Sequence, residues 1–213
     1  MRENLAATLR LLLVTDDALL GARDPVAVAL AAVAGGVTAV QLRLKEASDR
    51  ELLATARRLV AALPVPLFVN DRLDIALLAG AAGVHLGSDD IPPVRARRAV
   101  PAGFVIGASV GLPAEVERGL AAAYWGIGPL HGTRTKGDAG DALGHDGARA
   151  LLDLAGGRPC VLIGGVRPAD VAPAMAAGFA GVAVVSGILG GEDVEGRARR
   201  YAVGGGATSS RTK

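Results

Sequence analysis

Residues 66–90 read PLFVNDRLDIALLAGAAGVHLGSDD and contain two short apolar runs separated by a helical pattern. The runs, at 66–70 and 83–86, are rich in Val, Leu and Phe, as buried strands are. The segment between them ends at Gly80, and glycine is typical of a helix C-terminus. A strand, a helix and a second strand in this order predict parallel strands joined by a crossover helix.

The same alternation extends along the chain. Apolar runs recur at 11–15, 38–42, 66–70, 83–86, 105–108, 124–127, 160–163 and 181–185. Because they are continuously apolar, they are typical of strands buried on both faces. Eight such units predict an α/β protein with a (β/α)8 TIM barrel, in a single domain over 1–203. A doubly wound open sheet is the alternative, but no Gly-x-Gly-x-x-Gly turn follows the first run, which ends Thr15-Asp16-Asp17.

Capping residues mark the helix boundaries. Asp24 precedes Pro25, the order typical of an N-cap and a first helical position. Ser48 and Glu51 have the spacing of a capping box, and Gly178 closes a helix before the last run. These signals support the strand and helix order. The segment 204–213, rich in Gly, Thr and Ser, is predicted to be a disordered tail.

Composition narrows the function classes. The net charge of +2 is small for 213 residues and aromatic residues make up 3%, so no nucleic-acid surface is indicated. Neither an apolar run of about 18 residues nor a signal peptide is recognisable, which predicts no membrane span and no secretion. The single cysteine, Cys160, lies in an apolar run, which favours a core thiol over a nucleophile. One cysteine fits a reducing cytoplasm.

Cationic and amide side chains follow the second strand. Gln41, Arg43 and Lys45 are spaced by two residues, so they share one face of an extended chain. In a (β/α)8 barrel the strand ends form the active site, and two cations there suit a ligand with several phosphate oxygens. The alternative is that the strand has already ended and the cations belong to a solvated loop.

Acids follow the next two strands. Asn70 and Asp71 end the third, and Asp89 and Asp90 come after the fourth. Carboxylates beside cations can neutralise them, transfer protons or hold Mg²⁺ together with phosphate oxygens, and the metal site explains the most residues at once. The alternative is that Asp71 or Asp89 caps the following helix.

The last three strands lead into residues suited to phosphate. Thr133, Thr135 and Lys136 lie in a long polar loop after the sixth strand, Gly164-Gly165 ends the seventh, and Ser186 follows the eighth. Backbone N–H groups at such glycines bind anions. Two phosphate-suited sides indicate two phosphorylated substrates.

The histidines and the cysteine form no recognisable nucleophilic triad. His85 lies inside a strand, where a histidine satisfied by core partners is expected, and His131 and His145 are predicted to lie in loops.

These residues, taken in series, resemble the thiamine phosphate synthase family. The matching motifs are Val40-Gln41-Leu42-Arg43 with Lys45, Val69-Asn70-Asp71-Arg72-Leu73-Asp74, Gly83-Val84-His85-Leu86-Gly87-Ser88-Asp89-Asp90, Gly107-Ala108-Ser109, Gly126-Ile127-Gly128-Pro129, Thr133-Arg134-Thr135-Lys136, Ile163-Gly164-Gly165-Val166 and Gly181-Val182-Ala183-Val184-Val185-Ser186.

The resemblance implies a transferase that joins 4-amino-2-methyl-5-hydroxymethylpyrimidine diphosphate to hydroxyethylthiazole phosphate, or to its carboxylated form, and releases pyrophosphate. It implies Mg²⁺ as cofactor, held by Asp71 and Asp90. The residues implied to bind the pyrimidine diphosphate are Gln41, Leu42, Arg43, Leu44, Lys45, Asn70, Ser109 and Lys136, and those for the thiazole phosphate are Thr133, Arg134, Thr135, Gly165, Val185 and Ser186. Of these, Arg43, Lys45, Ser109 and Lys136 are implied to be catalytic, and the partners are small molecules. A homodimer would be unsurprising for the family.

Three positions depart from the family pattern. Leu44 stands where an acid is usual, His131-Gly132 where an aromatic residue and a proline are common, and Ala108 where valine is usual. Two alternatives therefore stay open: a thiazole tautomerase-like paralogue, which needs neither diphosphate nor metal, and a non-catalytic barrel that binds thiamine precursors.

Overall fold

The computed structural model describes residues 2–132 and 141–204. Within these residues, eight parallel strands close into a barrel in sequence order. They are β1 (Leu11–Val14), β2 (Ala39–Leu42), β3 (Leu67–Asn70), β4 (Gly83–Leu86), β5 (Val105–Val110), β6 (Tyr124–Ile127), β7 (Cys160–Leu162) and β8 (Gly181–Val184). Pairing of β1 with β8, with Leu12 beside Ala183, closes the ring. The (β/α)8 prediction is confirmed, and the open-sheet alternative is excluded.

Helices cover the outside of the barrel. They are α1 (Arg2–Thr8), α2 (Asp17–Leu20), α3 (Pro25–Ala34), α4 (Asp49–Ala62), α5 (Leu73–Ala79), α6 (Pro93–Ala96), α7 (Val116–Gly119), α8 (Gly144–Asp153), α9 (Pro168–Ala177), α10 (Ser186–Leu189) and α11 (Val194–Gly204), with a 3-10 turn at Pro113–Glu115. Among the described helices, none has the length and apolarity needed to cross a membrane. The predicted tail begins at the last residue of α11, and 205–213 lie outside the described residues. The single domain over 1–203 stays a prediction.

Most of the predicted helix ends are confirmed. Ser48 and Glu51 form the capping box of α4, with the Ser48 N–H donating to Glu51 Oε2 at 2.9 Å. Gly80 and Gly178 end α5 and α9 in the left-handed conformation. Asp24 precedes α3 as expected, but its side chain makes no capping hydrogen bond and instead pairs with Arg58.

Apolar side chains form two layers, one between the strands and the helices and one inside the barrel. The inner layer includes Leu12, Phe68, Tyr124 and Val161. The Tyr124 ring lies directly over Gly107, where an added Cβ would come within 2.2 Å of it. Because the barrel interior is filled in this way, a ligand has room at the mouth, and strand residues that point inward there become its lining.

Cys160 lies on β7 with no exposed surface. Burial raises the pKa of its thiol to about 12, so the group stays protonated at neutral pH. The core-thiol prediction is confirmed and the nucleophile alternative is disfavoured.

Candidate active site

A cavity of about 940 Å³ opens at the carboxyl ends of the strands. Its lining includes strand or strand-end residues from around the barrel: Val14, Gln41, Asn70, His85, Ser109, Gly126, Ile163 and Ala183. The volume lies at the upper end of the range usual for small-molecule sites, so the cavity has room for one large ligand or two small ones. The mouth of the barrel is therefore the candidate active site.

The period-two prediction for the second strand holds at the cavity. Gln41, Arg43 and Lys45 line it. Leu42 is fully buried in the layer between strands and helices and Leu44 packs against that layer, so neither side chain reaches the main cavity. β2 ends at Leu42, as the loop alternative required. The Arg43 side chain is only 13% exposed and is not a solvated loop cation, whereas Lys45 is exposed as that alternative expected.

Residues after β1 hold these cations in place. Arg43 Nη1 donates to Asp16 Oδ2 at 3.0 Å, and both side chains are 13% exposed. The Thr15 hydroxyl accepts from the Arg43 N–H at 2.8 Å and donates to the Arg43 carbonyl at 3.0 Å. Asp17 Oδ2 accepts from the Lys45 N–H at 2.6 Å. Sequence reasoning missed these three roles, although a Thr-Asp-Asp run at the end of a buried strand was a visible signal.

The predicted acids come together at the mouth. The carboxyl groups of Asp71 and Asp90 are hydrogen-bonded to each other, and burial, followed by that bond and the charge of Asp90, raises the pKa of Asp71 to about 6. Lys45 and Arg43 oppose the shift. A pair of neighbouring carboxyl groups offers oxygen donors alone, which is what a hard divalent ion prefers. The pair therefore fits Mg²⁺.

The backbone shows that none of Asp71, Asp89 and Asp90 is the N-cap of the helix that follows it. Asp71 has φ of 62°, a positive value that no other non-glycine residue in 2–132 or 141–204 adopts, and its N–H donates to the His85 carbonyl at 2.8 Å. Strain of this kind costs energy and is concentrated at functional sites. Arg72 is the N-cap position of α5, and Pro92 that of α6. Asp90 instead accepts from the Gly87 N–H at 2.6 Å, while Asp89 lines the cavity.

A hydrogen-bonded chain crosses the floor of the cavity. Tyr124 bonds the Gln41 side chain, and its hydroxyl lies 3.0 Å from His85 Nδ1. His85 Nε2 lies 3.1 Å from the Ser109 hydroxyl. Burial raises the pKa of Tyr124, so the phenol keeps its proton. His85 is thus a satisfied buried histidine, as expected, and it also orients Ser109.

The opposite side of the mouth is built from glycines and turns. Gly165 has φ of 66°, and Val185 and Ser186 follow β8 beside it in the lining. Arg197, on α11, also lines the cavity and donates to the Gly187 carbonyl at 3.0 Å and the Ser186 carbonyl at 3.2 Å. It adds a positive charge to the side predicted to bind a phosphate. Sequence reasoning missed Arg197 because nothing local distinguishes it from other cations of its helix.

Thr133, Arg134, Thr135 and Lys136 lie outside the described residues, so their roles stay predictions. The chain on either side of them is described. The Leu143 N–H donates to the Pro129 carbonyl at 2.8 Å, and the Gly144 N–H donates to the Leu130 carbonyl at 3.1 Å. His145 follows in the first turn of α8 rather than in a loop, which corrects the prediction for it.

Comparison with known proteins shows what the chain is similar to. Residues 11–188 match the family described as thiamine monophosphate synthase. The chain is 46% identical over 196 residues to the thiamine-phosphate synthase of Xanthobacter autotrophicus, covering 90% of this chain and 92% of that one. It is 44% identical to that of Azorhizobium caulinodans, also over 196 residues, with the same coverage.

A solved structure extends the likeness to three dimensions. The thiamine phosphate pyrophosphorylase of Pyrococcus furiosus is 32% identical and superposes with a TM-score of 0.82, covering 94% of this chain and 97% of that one. The barrel, the order of the motifs and the sequence matches agree, and the chain belongs to the thiamine monophosphate synthase family.

Proposed function

We propose that this chain is a transferase that condenses 4-amino-2-methyl-5-hydroxymethylpyrimidine diphosphate with hydroxyethylthiazole phosphate, or its carboxylated form, to thiamine phosphate and pyrophosphate. The observation that carries the proposal is the division of the cavity into two unlike sides. Cations and paired acids lie at the ends of β2 to β4, and the glycine-rich turns predicted to bind a phosphate lie at the ends of β7 and β8.

The cationic side suits the leaving group. Arg43 and Lys45, with Lys136 from the predicted loop, bind the diphosphate and stabilise the charge that builds on it as the carbon–oxygen bond breaks. Gln41, Asn70 and Ser109 hold and orient the pyrimidine. The electron-rich ring bears the positive charge at the methylene carbon until the thiazole nitrogen captures it, so no protein nucleophile is required.

The glycine side suits the monophosphate. Gly165, Val185 and Ser186, together with Thr133, Arg134 and Thr135, hold the thiazole phosphate and turn its nitrogen toward the methylene. Arg197 braces the Ser186 turn through two carbonyls, which keeps the backbone of the anion site in place. Catalysis rests on positioning and electrostatics.

Asp71 and Asp90 would hold Mg²⁺, which when bound neutralises diphosphate charge. The contact between their carboxyl groups supports this assignment because it leaves a paired oxygen donor set beside two cations. It also speaks against the two alternatives. A thiazole tautomerase-like paralogue has no diphosphate to neutralise, and a non-catalytic binder has no use for an acid pair of which one member, Asp71, has a strained backbone.

Compartment and assembly belong to the same proposal. A single buried thiol is in keeping with a reducing cytoplasm, and the substrates are small molecules. The homodimer expected from the resemblance stays a prediction.

Pyrophosphate release tests the activity. Purified protein with Mg²⁺ and both substrates is expected to release one pyrophosphate per thiamine phosphate formed, and none when the thiazole phosphate is left out. If both substrates bind, as calorimetry would show, and no pyrophosphate appears, the transferase proposal is refuted. Conversion of the thiazole carboxylate tautomer without pyrimidine would instead establish the tautomerase.

A further inference from the structure

We propose that His131, His145 and Asp170 form a second metal site, outside the substrate cavity, for a borderline transition ion such as Zn²⁺. One ligand atom from each of the three lies within 4.8 Å of the other two. The site is distinct from the acid pair at β3 and β4, and none of these three side chains is part of the cavity lining given by the described residues.

The distances fit four-coordinate geometry. His131 Nε2 lies 3.1 Å from Asp170 Oδ2, and His145 Nε2 lies 3.7 Å from Asp170 Oδ1. Tetrahedral zinc with bonds of about 2.0–2.1 Å places neighbouring ligand atoms about 3.3 Å apart. Each distance is within a few tenths of an ångström of that value but runs to a different oxygen of Asp170, so bringing both imidazoles onto one ion requires a rotation of the carboxylate or of the His145 side chain. The His145 side chain is 56% exposed, so it has room to rotate toward the ion.

Three separate elements bring the ligands together, and each is held by its backbone. The His131 N–H donates to the Gly164 carbonyl at 3.0 Å, and the Gly144 N–H beside His145 donates to Leu130 at 3.1 Å. Asp170 lies in the first turn of α9, where Oδ2 also accepts from the Arg167 N–H at 2.7 Å. The Arg167 N–H bond to the Asp170 carboxylate is of the kind that orients a metal ligand and strengthens binding, while the two main-chain bonds fix the segments that carry the histidines.

A simpler explanation accounts for only part of the arrangement. A His131–Asp170 hydrogen bond beside a helix start would stabilise the turn without any ion. It does not account for His145, whose imidazole approaches the other oxygen of the Asp170 carboxyl group. The rings of His145 and His131 are arranged edge to face, with their centroids 6.0 Å apart. Two imidazoles converging on one carboxylate form a donor set for one cation.

The donor chemistry selects the ion. Two imidazole nitrogens and one carboxylate oxygen match Zn²⁺, with water completing the fourth position, whereas Mg²⁺ prefers oxygen ligands alone. The two sites of the chain would therefore take different ions. The new site adjoins the anion side of the mouth, since a Cβ added at Gly165 would lie 3.0 Å from the His131 Cβ.

Cobalt absorption tests the site directly. Protein freed of metal and then saturated with Mg²⁺ is titrated with Co²⁺, whose visible absorption is strong in four-coordinate sites and weak in six-coordinate oxygen sites. We expect one equivalent of the strongly absorbing form, displaced by Zn²⁺. His131→Gln and His145→Gln should each weaken binding by at least about tenfold. Asp146→Asn, the matched control on an exposed neighbour in the same helical turn, should bind as the wild type does.

Histidine NMR provides a second measurement that needs no variant. The chain has three histidines, so its ring signals are few. Zn²⁺ added in excess Mg²⁺ should shift the ring signals of His131 and His145 and leave those of His85 in place. Equal cobalt affinity in His145→Gln and Asp146→Asn, a weak six-coordinate spectrum, or no shift at His131 and His145 would each overturn the proposal. The synthase activity is measured with Mg²⁺ alone and stands or falls separately.

Discussion

Replacing Asp16 by Asn tests whether the residues after β1 position Arg43, the cation proposed to bind the diphosphate. Asp16 is acceptor to Arg43 through Oδ2 at 3.0 Å and to the Leu19 N–H through Oδ1 at 3.2 Å, the latter as the N-cap of α2. Asn caps helices about as well as Asp does, so the substitution removes the charge and spares the cap. Arg43 would then lose its ion-pair partner and turn toward Asp71, whose raised pKa its charge already opposes.

The expected magnitude follows from the geometry. Hydrogen bonds to charged groups are worth about 1.5–3 kcal/mol, and with both side chains only 13% exposed the pair is weakly screened by solvent. If that energy is used to hold Arg43 toward the diphosphate, its loss corresponds to about a 10- to 150-fold lower kcat/KM. Because Arg43 is proposed both to bind the diphosphate and to stabilise its departing charge, the loss should appear in kcat and in the KM for the pyrimidine diphosphate, and leave the KM for the thiazole phosphate unchanged.

Steady-state pyrophosphate release with each substrate varied in turn measures both constants. The matched control is Asp24→Asn, which also removes an acid paired with an arginine ahead of a helix, but at 44% exposure, where such pairs contribute less than about 1 kcal/mol. Adding Asp16→Asn to Arg43→Gln should lower kcat/KM no further than Arg43→Gln alone, since the two side chains act together. Additive losses, or an Asp16→Asn enzyme that behaves like Asp24→Asn, would refute the reasoning.

Three further predictions concern the acids, the anion site and the thiol. Asp71→Asn and Asp90→Asn should each lower kcat about 100-fold or more at saturating Mg²⁺. The melting temperature should stay unchanged, because Asn tolerates the positive φ at position 71. Full turnover by either variant would contradict the metal assignment. Gly165→Ala, strained and crowded by His131, should raise the KM for the thiazole phosphate, whereas Gly157→Ala, equally strained but in open space, should lower the melting temperature alone. Cys160, whose pKa burial raises to about 12, should resist a thiol reagent at pH 8 until the protein unfolds, and rapid labelling of the native protein would disprove its burial.

Local patterns in the sequence determined most of the architecture. Short continuously apolar runs predicted all eight strands to within two residues at either end, because a strand buried on both faces needs apolar side chains at consecutive positions. The two-residue spacing of Gln41, Arg43 and Lys45 placed them on one face, and the structure has all three at the cavity. The glycines that end α5 and α9 are likewise read from neighbours alone.

Contacts between distant parts of the chain were decided by the tertiary structure. Asp16 meets Arg43 across 27 residues, and His131 meets Asp170 across 39. Arg197 reaches the mouth because α11 packs beside α10. Neither hydrophobic periodicity nor helix-capping residues predict such pairs, since each pair depends on how the closed barrel brings strand and helix ends together. The sequence by itself therefore determined the barrel and the two unlike sides of its mouth, while chain closure decided which residues orient them and placed two histidines on one carboxylate.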